Sequence, residues 1–434
     1  MNEVIDIVDF VDKEYRNHGY YTLYNRGIPS FEDGMIPVQR KIFYVAQKQM
    51  RDNFQPMLKL IGGVTESGYH HGDKSSFDAA VNMATDFIAS NNNINLLIGY
   101  GNFGNRQFRE SASARYIKIK YNKISDYIFM DDFLHESSDD QMAKEPKFYY
   151  PIIPMILVNQ KSGIGLGHAT NIPPHNPLDL INYIIRHLKG KKTNDILPFW
   201  RNMNLDIERV DLNRIYIAGK FEIKGKQKIN IIELPPQYDR PKYIKILNEL
   251  EDKDLITSYI DNSQGDNFNI EIRFKNNIEN IDIIKTLKLY QYVNYNLTCI
   301  KDGKLKVYEN IFDIIDDFID YRLSIYKNRY KQLIIDLQKD VLFLVSKITF
   351  IKKAIKLISK LKLKVTKKDF KDIIDNADYI ESFLNIPIYR LTDEHISELE
   401  NKIIKNADLI KKYKNIDIKQ VYIKELIILK GKLI

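Results

Sequence analysis

A tyrosine beside an arginine, Arg115-Tyr116, closes a stretch that opens with a glycine-bracketed turn, Gly101-Asn102-Phe103-Gly104; residues 101–120 read GNFGNRQFRESASARYIKIK. Glycine lets a backbone approach a partner closely, and the alternation Ile117-Lys118-Ile119-Lys120 predicts a short strand with its lysines on one face. The segment between turn and strand is too small and polar to bury a phenol well. Such a tyrosine suits nucleophilic attack on a phosphate. A phenol of pKa about 10 is only about 0.1% ionised at neutral pH, so it needs a cation to steady the phenolate or a base to take its proton. Arg115 is placed to neutralise the phosphate, and Arg106, Arg109, Lys118 and Lys120 make the neighbourhood electropositive. The chain has 28 tyrosines, so this stretch alone also fits a basic hairpin that merely touches a phosphate.

Further candidates lie on either side. In RGIPSFEDGMIPVQRK, Pro29 and Asp33-Gly34 mark a turn, and Pro37 suits the first turn of a helix that presents Arg40 and Lys41 near its start. A helix N-terminus with cations attracts phosphate, although solvated charges on an ordinary helix would look the same. A short apolar helix then ends near Gly62-Gly63, and the turn GYHHGD leads to a second helix with Asp73 as N-cap and Phe77, Val81, Ala84 and Ile88 on one face. Two helices joined this way suggest a helix-turn-helix or winged-helix unit, with His70 and His71 either functional or simple turn residues. Gly163, Gly165 and Gly167 follow a strand-like Met155 to Val158, but Pro173-Pro174 pre-empts the helix a dinucleotide loop must feed. Ile164, apolar between glycines, is either a buried loop residue or a wedge for kinking DNA.

Positioning these groups takes several domains. The 434 residues, 44% hydrophobic, can build two or three cores. The net charge of +8, from 65 basic and 57 acidic residues, fits an anionic partner without establishing one. One cysteine, Cys299, excludes an internal disulfide framework, and no Cys/His cluster suggests zinc. The N-terminus is acidic and unlike a signal peptide, and no apolar run approaches the roughly 20 residues of a membrane span, so a soluble, reducing compartment is expected. Residues 1–20 alternate apolar and acidic residues as an amphipathic arm or helix. From 195 to 300 short strands (Ile215 to Ile223, Ile229 to Leu234) mix with helices such as 241–251, an α+β pattern. Between Gly303 and Gly431 there is no glycine, and Leu337, Leu344, Ile348, Ile351, Ile355 and Ile358 trace an a/d-like seam. With a second helical stretch from Thr392 to Leu429, this predicts an antiparallel coiled coil with a knob at about 361–390, against the plainer alternative of a helical bundle.

Taken in order, RGIPSFEDGMIPVQRK, YHHGDKSSFD, YGNFGN, ASARY, SGIGLGHATNIPPHN and LNIPIYRLTDEHISELENKI resemble the DNA-cleavage subunit of type IIA topoisomerases, the gyrase A and topoisomerase IV A type. The resemblance covers most of the chain. It implies that Tyr116 attacks a DNA phosphodiester to give a 5′-phosphotyrosyl intermediate, with Arg115, Arg26 and His71 as its catalytic neighbours. It further implies DNA binding by Arg40, Lys41 and His70 and a DNA-bending wedge at Ile164, and the cations Lys74, Arg106 and Lys118 are expected to add to the DNA contact. The expected fold is α+β and multidomain. An arm (1–20) precedes a winged-helix (helix-turn-helix) DNA-cleavage domain (21–148), an α+β tower domain (149–305) and a long antiparallel coiled coil with a distal helical gate (306–434).

Departures from the family pattern also carry meaning. His70-His71 replaces the family's His-Pro-His, and Lys41 stands where a second arginine is usual, which lysine cannot match for a bidentate grip. Lys74 occupies the position of the serine that commonly anchors quinolones, while Asp78 matches the accompanying acid. No GxxxxGK[ST] loop is present, and Asp131-Asp132 and Asp139-Asp140 lack the context of the family's Mg²⁺-binding Toprim cluster. The expectation is therefore a homodimer acting on double-stranded DNA, with no metal site of its own and no membrane contact. Mg²⁺ and ATP would be held by a gyrase B-like ATPase/Toprim partner. The chain stops without a DNA-wrapping β-pinwheel, so relaxation and decatenation are expected rather than supercoiling. That layout is similar to a separately encoded bacteriophage-type subunit working in the cytoplasm of an infected bacterium. A tyrosine recombinase does not fit a nucleophile at position 116, whereas a non-catalytic architectural DNA-bending protein on the same fold remains an alternative.

Overall fold

Asp6 accepts a hydrogen bond from the Val8 amide at 2.7 Å and starts helix α1 (Ile7–Thr22), where an arm or amphipathic helix was expected. The computed structural model describes residues 6–138, 143–360, 366–374 and 376–434. Residues 1–5 of the expected arm, Asp139-Asp140, and 361–365 and 375 of the expected knob lie outside the described residues. After Thr22 the helix widens into one π turn, Leu23–Gly27, with the Ile28 amide donating to the Leu23 carbonyl at 3.0 Å.

Pro37 opens helix α2 (Pro37–Gln49) as expected, and Ile42, Phe43, Val45 and Ala46 carry its buried face. Strand β1 (Gln55–Pro56) leads into helix α3 (Met57–Glu66). This helix runs through Gly62-Gly63 instead of ending there. Gly63 serves packing: a Cβ would meet Val45 Cγ1 at 2.7 Å, so its absence lets α3 close on α2. Helix α4 (Asp73–Ala84) is preceded by Gly72 at φ +84°, which makes Asp73 the first helical residue and not the N-cap. It ends before Ile88, because the Asn92 amide takes over the Asn82 and Thr85 carbonyls at 2.6 and 3.2 Å. Strands β2 (Leu97–Tyr100) and β3 (Lys118–Tyr121) complete an antiparallel sheet of order β1-β3-β2, with Gly99 opposite Ile119 and Pro56 opposite Lys118.

Past a short helix α5 (Ser125–Ile128), the apolar run Met155 to Val158 is a helix, α6 (Met155–Val158), not the expected strand. All four side chains are buried, so the run carries no periodicity to separate the two states. Strands β4 (Lys161–Gly165) and β5 (His168–Ile172) form a hairpin, followed by α7 (Pro177–Leu188). The expected strand from Ile215 to Ile223 is two strands that part at Gly219. Strand β6 (Asp206–Asp211) and strand β7 (Arg214–Ala218) belong to one sheet, and β8 (Lys220–Gly225) and β9 (Lys228–Glu233) to another. A Cβ at Gly219 would overlap the Glu233 carbonyl, so the chain crosses between sheets where only glycine fits. Helix α8 (Arg240–Asp252), strands β10 (Ile256–Asp261) and β11 (Ile270–Phe274), and a short α9 (Ile283–Thr286) pack around Tyr243, Leu247, Ile231 and Ile272. Strand β12 (Tyr290–Asn294) finishes the first sheet, order β12-β7-β6, and the hairpin β13 (Thr298–Lys301) and β14 (Lys304–Val307) follows. This hairpin returns to the start of the chain: the Phe31 amide donates to the Ile300 carbonyl at 2.7 Å.

Helix α10 (Ile311–Lys360) is 50 residues long. The chain divides into two units, Met1–Arg322 with Ile423–Ile434, and Leu323–Tyr422. In the second unit, α10 meets helices α11 (Lys367–Lys371), α12 (Ile380–Leu384) and α13 (Asp393–Lys414) around Ile348, Ile351, Ala354, Phe383, Ile396 and Leu399. Contacts between α10 and the returning chain descend one as they climb the other. Lys352 pairs with Glu400 at 3.3 Å, and the rings of Tyr330 and Tyr413, then Tyr326 and Tyr422, lie 5.4 and 5.2 Å apart. The return is not a single helix to Leu429 as expected. It breaks at Asn415–Asp417, where the Asp417 carboxylate accepts from the Lys419 amide at 2.9 Å and starts α14 (Ile418–Leu433).

Candidate functional site

Strand β3 is the central strand of its sheet, and its alternation sets the direction of what precedes it. Ile117 and Ile119 point inward and are buried, Lys118 is exposed, and Tyr116 stands 74% exposed at the strand's entrance. The Met57 amide donates to the Ile117 carbonyl at 3.1 Å, tying the first residue of α3 to the residue after Tyr116. A turn with the Tyr116 amide donating to the Ser113 carbonyl at 3.0 Å, and the Ala112 amide donating to the Asn102 carbonyl at 2.9 Å, hold the approach. Gly101 and Gly104 have φ of +105° and +86°, and a Cβ on Gly104 would lie 2.6 Å from the Arg109 carbonyl. The glycine bracket is therefore a backbone requirement. Among the described residues, neither the Tyr116 hydroxyl nor the exposed Arg115 guanidinium has an internal hydrogen bond or ion pair. Both are available to a phosphate.

Arg26 and His71 meet directly, with Arg26 Nη2 2.7 Å from His71 Nδ1. Burial first, then Arg26 and His70, hold the His71 imidazole below its ordinary pKa. Tyr21 completes the contact through its hydroxyl on His71 Nε2. Residue types did not single out Tyr21, and its only sequence signal is a place five residues before Arg26. His70, His71, Arg40 and Lys41 line a cleft of about 810 Å³ together with Glu32, whose carboxyl is pushed up to about 7, chiefly by burial. Lys74 and Asp78 are exposed on α4.

Three expected DNA contacts are instead internal ion pairs. Arg40, 6% exposed, donates to both Asp33 oxygens at 2.6 and 3.2 Å, to the Met35 carbonyl at 3.0 Å and to Ser30. Lys41 is buried against Glu145 at 2.8 Å and the Ser67 carbonyl at 2.9 Å. Arg106 is buried on Glu233, with the Phe268 ring centroid 4.7 Å away. A neighbouring arginine, Arg109, holds the Pro236 and Tyr238 carbonyls at 2.7 and 3.2 Å. The physical reason is common to the three pairs: each cation faces a carboxylate buried by the fold, a partner that spacing along the chain does not reveal. The electropositive surface beside Tyr116 thus reduces to Arg115, Lys118 and Lys120.

Within one chain Tyr116 and the Arg26–His71 pair are not brought together. Tyr116 adjoins the first residue of α3, His71 lies beyond its last, and the ten residues of α3 span about 15 Å.

Ile164 is 84% exposed on the hairpin β4–β5. It is not a buried loop residue. A Cβ on Gly163 would overlap the Gly27 carbonyl and one on Gly165 would overlap Leu23, so these glycines let the hairpin lie against the π turn that carries Arg26. Gly163→Ala is expected to cost about 1–3 kcal/mol through overpacking, seen as a lowered Tm. Among the described residues, no group of three or more His, Cys, Asp or Glu could hold a metal ion, and no helix is long and apolar enough to cross a membrane. Asp131 is instead buried in an ion pair with Arg322.

The family model for the DNA gyrase/topoisomerase IV A subunit matches residues 26–430. The DNA topoisomerase medium subunit of Enterobacteria phage T4 is 31% identical over 412 residues, covering 91% of this chain and 92% of that one. The mitochondrial DNA topoisomerase 2 of Dictyostelium discoideum is 31% identical over 426 residues, 91% of this chain but 33% of that longer protein. A crystal structure of the Plasmodium falciparum topoisomerase II DNA-binding, cleavage and re-ligation domain superposes with a TM-score of 0.82 at 29% identity, over 98% of this chain and 64% of that one. The chain belongs to the family of DNA gyrase and topoisomerase IV A subunits.

Proposed function

We propose that this protein is the DNA-cleavage and religation subunit of an ATP-dependent type IIA topoisomerase. The observation that carries the reading is Tyr116, exposed at the entrance of strand β3 beside Arg115, with no internal partner for either side chain among the described residues. The Tyr116 phenol gives its proton to solvent as its oxygen attacks the scissile phosphorus, the bond from phosphorus to the 3′ oxygen breaks, and that oxygen takes a proton from solvent and leaves as a 3′ hydroxyl. Tyr116 stays joined to the 5′ end. One phosphodiester is exchanged for another, so reversal needs no outside energy. Arg115 neutralises the phosphate, Arg26 with His71 supplies a second cationic contact, and His70, Lys74 and Lys118 hold the flanking DNA.

The placing of Tyr116 at the start of α3 and of His71 beyond its end, a helix about 15 Å long, favours a homodimer, in which a second copy brings its Arg26–His71 pair to the tyrosine. Mg²⁺ and ATP are assigned to a gyrase B-like Toprim/ATPase partner, as the resemblance to the type IIA cleavage subunit implies. Residues 21–148 are read as a winged-helix cleavage domain, 149–305 as a tower, and 306–434 as a coiled coil with a distal gate at about 361–390. The likeness to the T4 protein favours action on DNA in a phage-infected bacterium. Closed plasmid incubated with Mg²⁺ and such a partner, then stopped with detergent, should yield linear DNA with protein on its 5′ ends. Protein-free DNA in every condition would refute the assignment.

Ile164 is read as the wedge. Being exposed, its replacement by alanine should change stability by less than about 0.5 kcal/mol. A duplex labelled at both ends should nevertheless bend less on Ile164→Ala than on the parent protein, because an apolar side chain between base steps is what kinks the helix.

A further inference from the structure

His71 is held on three sides. Arg26 reaches Nδ1 from the π turn, at 2.7 Å, and Tyr21 reaches Nε2 from α1. The rings of Tyr21 and Tyr69 meet the imidazole edge-on, at 5.6 and 5.2 Å between centroids. Tyr69 commits its hydroxyl to Ser75 Oγ at 2.7 Å, so it offers His71 only its ring. The remaining charged neighbour is His70, on the same turn. A guanidinium can only donate, so Nδ1 is the acceptor and the imidazole is neutral with its proton on Nε2. That proton goes to the Tyr21 oxygen.

The backbone explains why Tyr21 and Arg26 converge. Residues five apart on an α-helix point about 140° apart, since each residue turns 100°. The π turn at Leu23–Gly27 widens the spiral and brings both side chains round to the same imidazole. Such a π turn inside a helix is a frequent mark of a functional position.

We propose that Tyr21 is a positioning residue for Arg26, acting through His71. With the tautomer set by Arg26, the phenolic oxygen of Tyr21 accepts the Nε2 proton and holds the imidazole in place, so that the Nδ1 lone pair aims the Arg26 guanidinium. Both nitrogens of His71 are engaged in this arrangement, so His71 orients a cation and is not itself a free base. The inference rests on Arg26 acting at the phosphate, as proposed above.

The full chain, its Tyr21→Phe and Tyr21→Ala variants, and His71→Gln for assignment, are labelled with ¹⁵N-histidine and followed by NMR through a pH titration. The same proteins are assayed for DNA affinity and, with the Mg²⁺- and ATP-binding partner, for covalent DNA cleavage. In the parent, His71 should be Nε2-protonated at neutral pH, and cleavage should fall as pH drops through its lowered pKa. Tyr21→Phe should shift the His71 Nε2 resonance, because Nε2–H loses its acceptor, while Nδ1 stays the acceptor for Arg26. It should also slow cleavage about tenfold, about the worth of one hydrogen bond, with DNA affinity unchanged. Tyr21→Ala should do the same and move the acid limb toward ordinary histidine. If Tyr21→Phe matches the parent in both nitrogen shifts and cleavage while only Tyr21→Ala is impaired, the ring merely packs and the proposal is overturned. A parent protein that forms no adduct would refute the cleavage function instead, and the nitrogen shifts would still decide the tautomer.

Discussion

Replacing Tyr116 by phenylalanine is expected to lower the rate of covalent DNA cleavage by about four orders of magnitude or more while leaving DNA affinity nearly unchanged. The change removes one oxygen atom from a side chain that is 74% exposed and has no internal hydrogen bond among the described residues. No folded-state contact is lost, so stability should stay within about 0.5 kcal/mol of the parent. The affinity comes from cations that neutralise phosphates, and Arg115 and Lys118 are untouched. A filter-binding or anisotropy curve beside a detergent-stopped cleavage reaction separates the two quantities. Arg115→Ala should behave differently, losing cleavage and part of the affinity together, because it removes a charge at the reacting phosphate.

A large effect of another kind is expected from Arg40→Ala. Asp33 is fully buried, and besides Arg40 it accepts hydrogen bonds from the Met35 and Tyr149 amides at 3.0 and 3.2 Å. Deleting the guanidinium leaves that carboxylate buried without its cation, which costs about 3–5 kcal/mol. For a unit as large as Met1–Arg322 with Ile423–Ile434, each kcal/mol moves Tm by about 1–2 °C, so a drop of about 5 °C should appear in a thermal scan. The salt dependence of DNA binding gives the contrast. Where the variant is still folded, the slope of log affinity against log salt should be unchanged, whereas Lys118→Ala should reduce it by about one. A reduced slope with normal Tm for Arg40→Ala would return Arg40 to the DNA surface.

The legibility of the sequence differed between elements for physical reasons. The β3 strand, the exposed tyrosine at its entrance and the glycine turn before it were readable because alternation and left-handed backbone leave direct marks on residue order. Pro37 and the long glycine-free helix were readable on the same grounds. The run Met155 to Val158 was not, since a segment buried on every side carries no period. Gly62-Gly63 and Gly219 looked like a terminator and an ordinary strand residue, yet Gly63 and Gly219 are glycine because another chain segment passes too close for a Cβ. The site divides similarly. Tyr116 and Ile164 are exposed, at 74% and 84%, as a nucleophile or a wedge would have to be. Arg40, Lys41 and Arg106 are not the surface cations their residue types suggested, because their partners Asp33, Glu145 and Glu233 are set by tertiary structure. Tyr21 reaches His71 only by way of a π turn, which residue order did not signal.

The central claim is that Tyr116 becomes covalently joined to the 5′ end of a cut DNA strand. The most direct test is to trap the cleavage reaction of the full chain with its Mg²⁺- and ATP-binding partner on end-labelled duplex. Nuclease and protease digestion then allow the nucleotide-bearing peptide to be sequenced by mass spectrometry. The expected result is a peptide spanning Tyr116 with a 5′-phosphotyrosyl nucleotide, absent from Tyr116→Phe. An adduct on another residue or at a 3′ end would contradict it, and so would tight, bent DNA with no adduct under any metal or partner condition, which would mark an architectural DNA-bending protein.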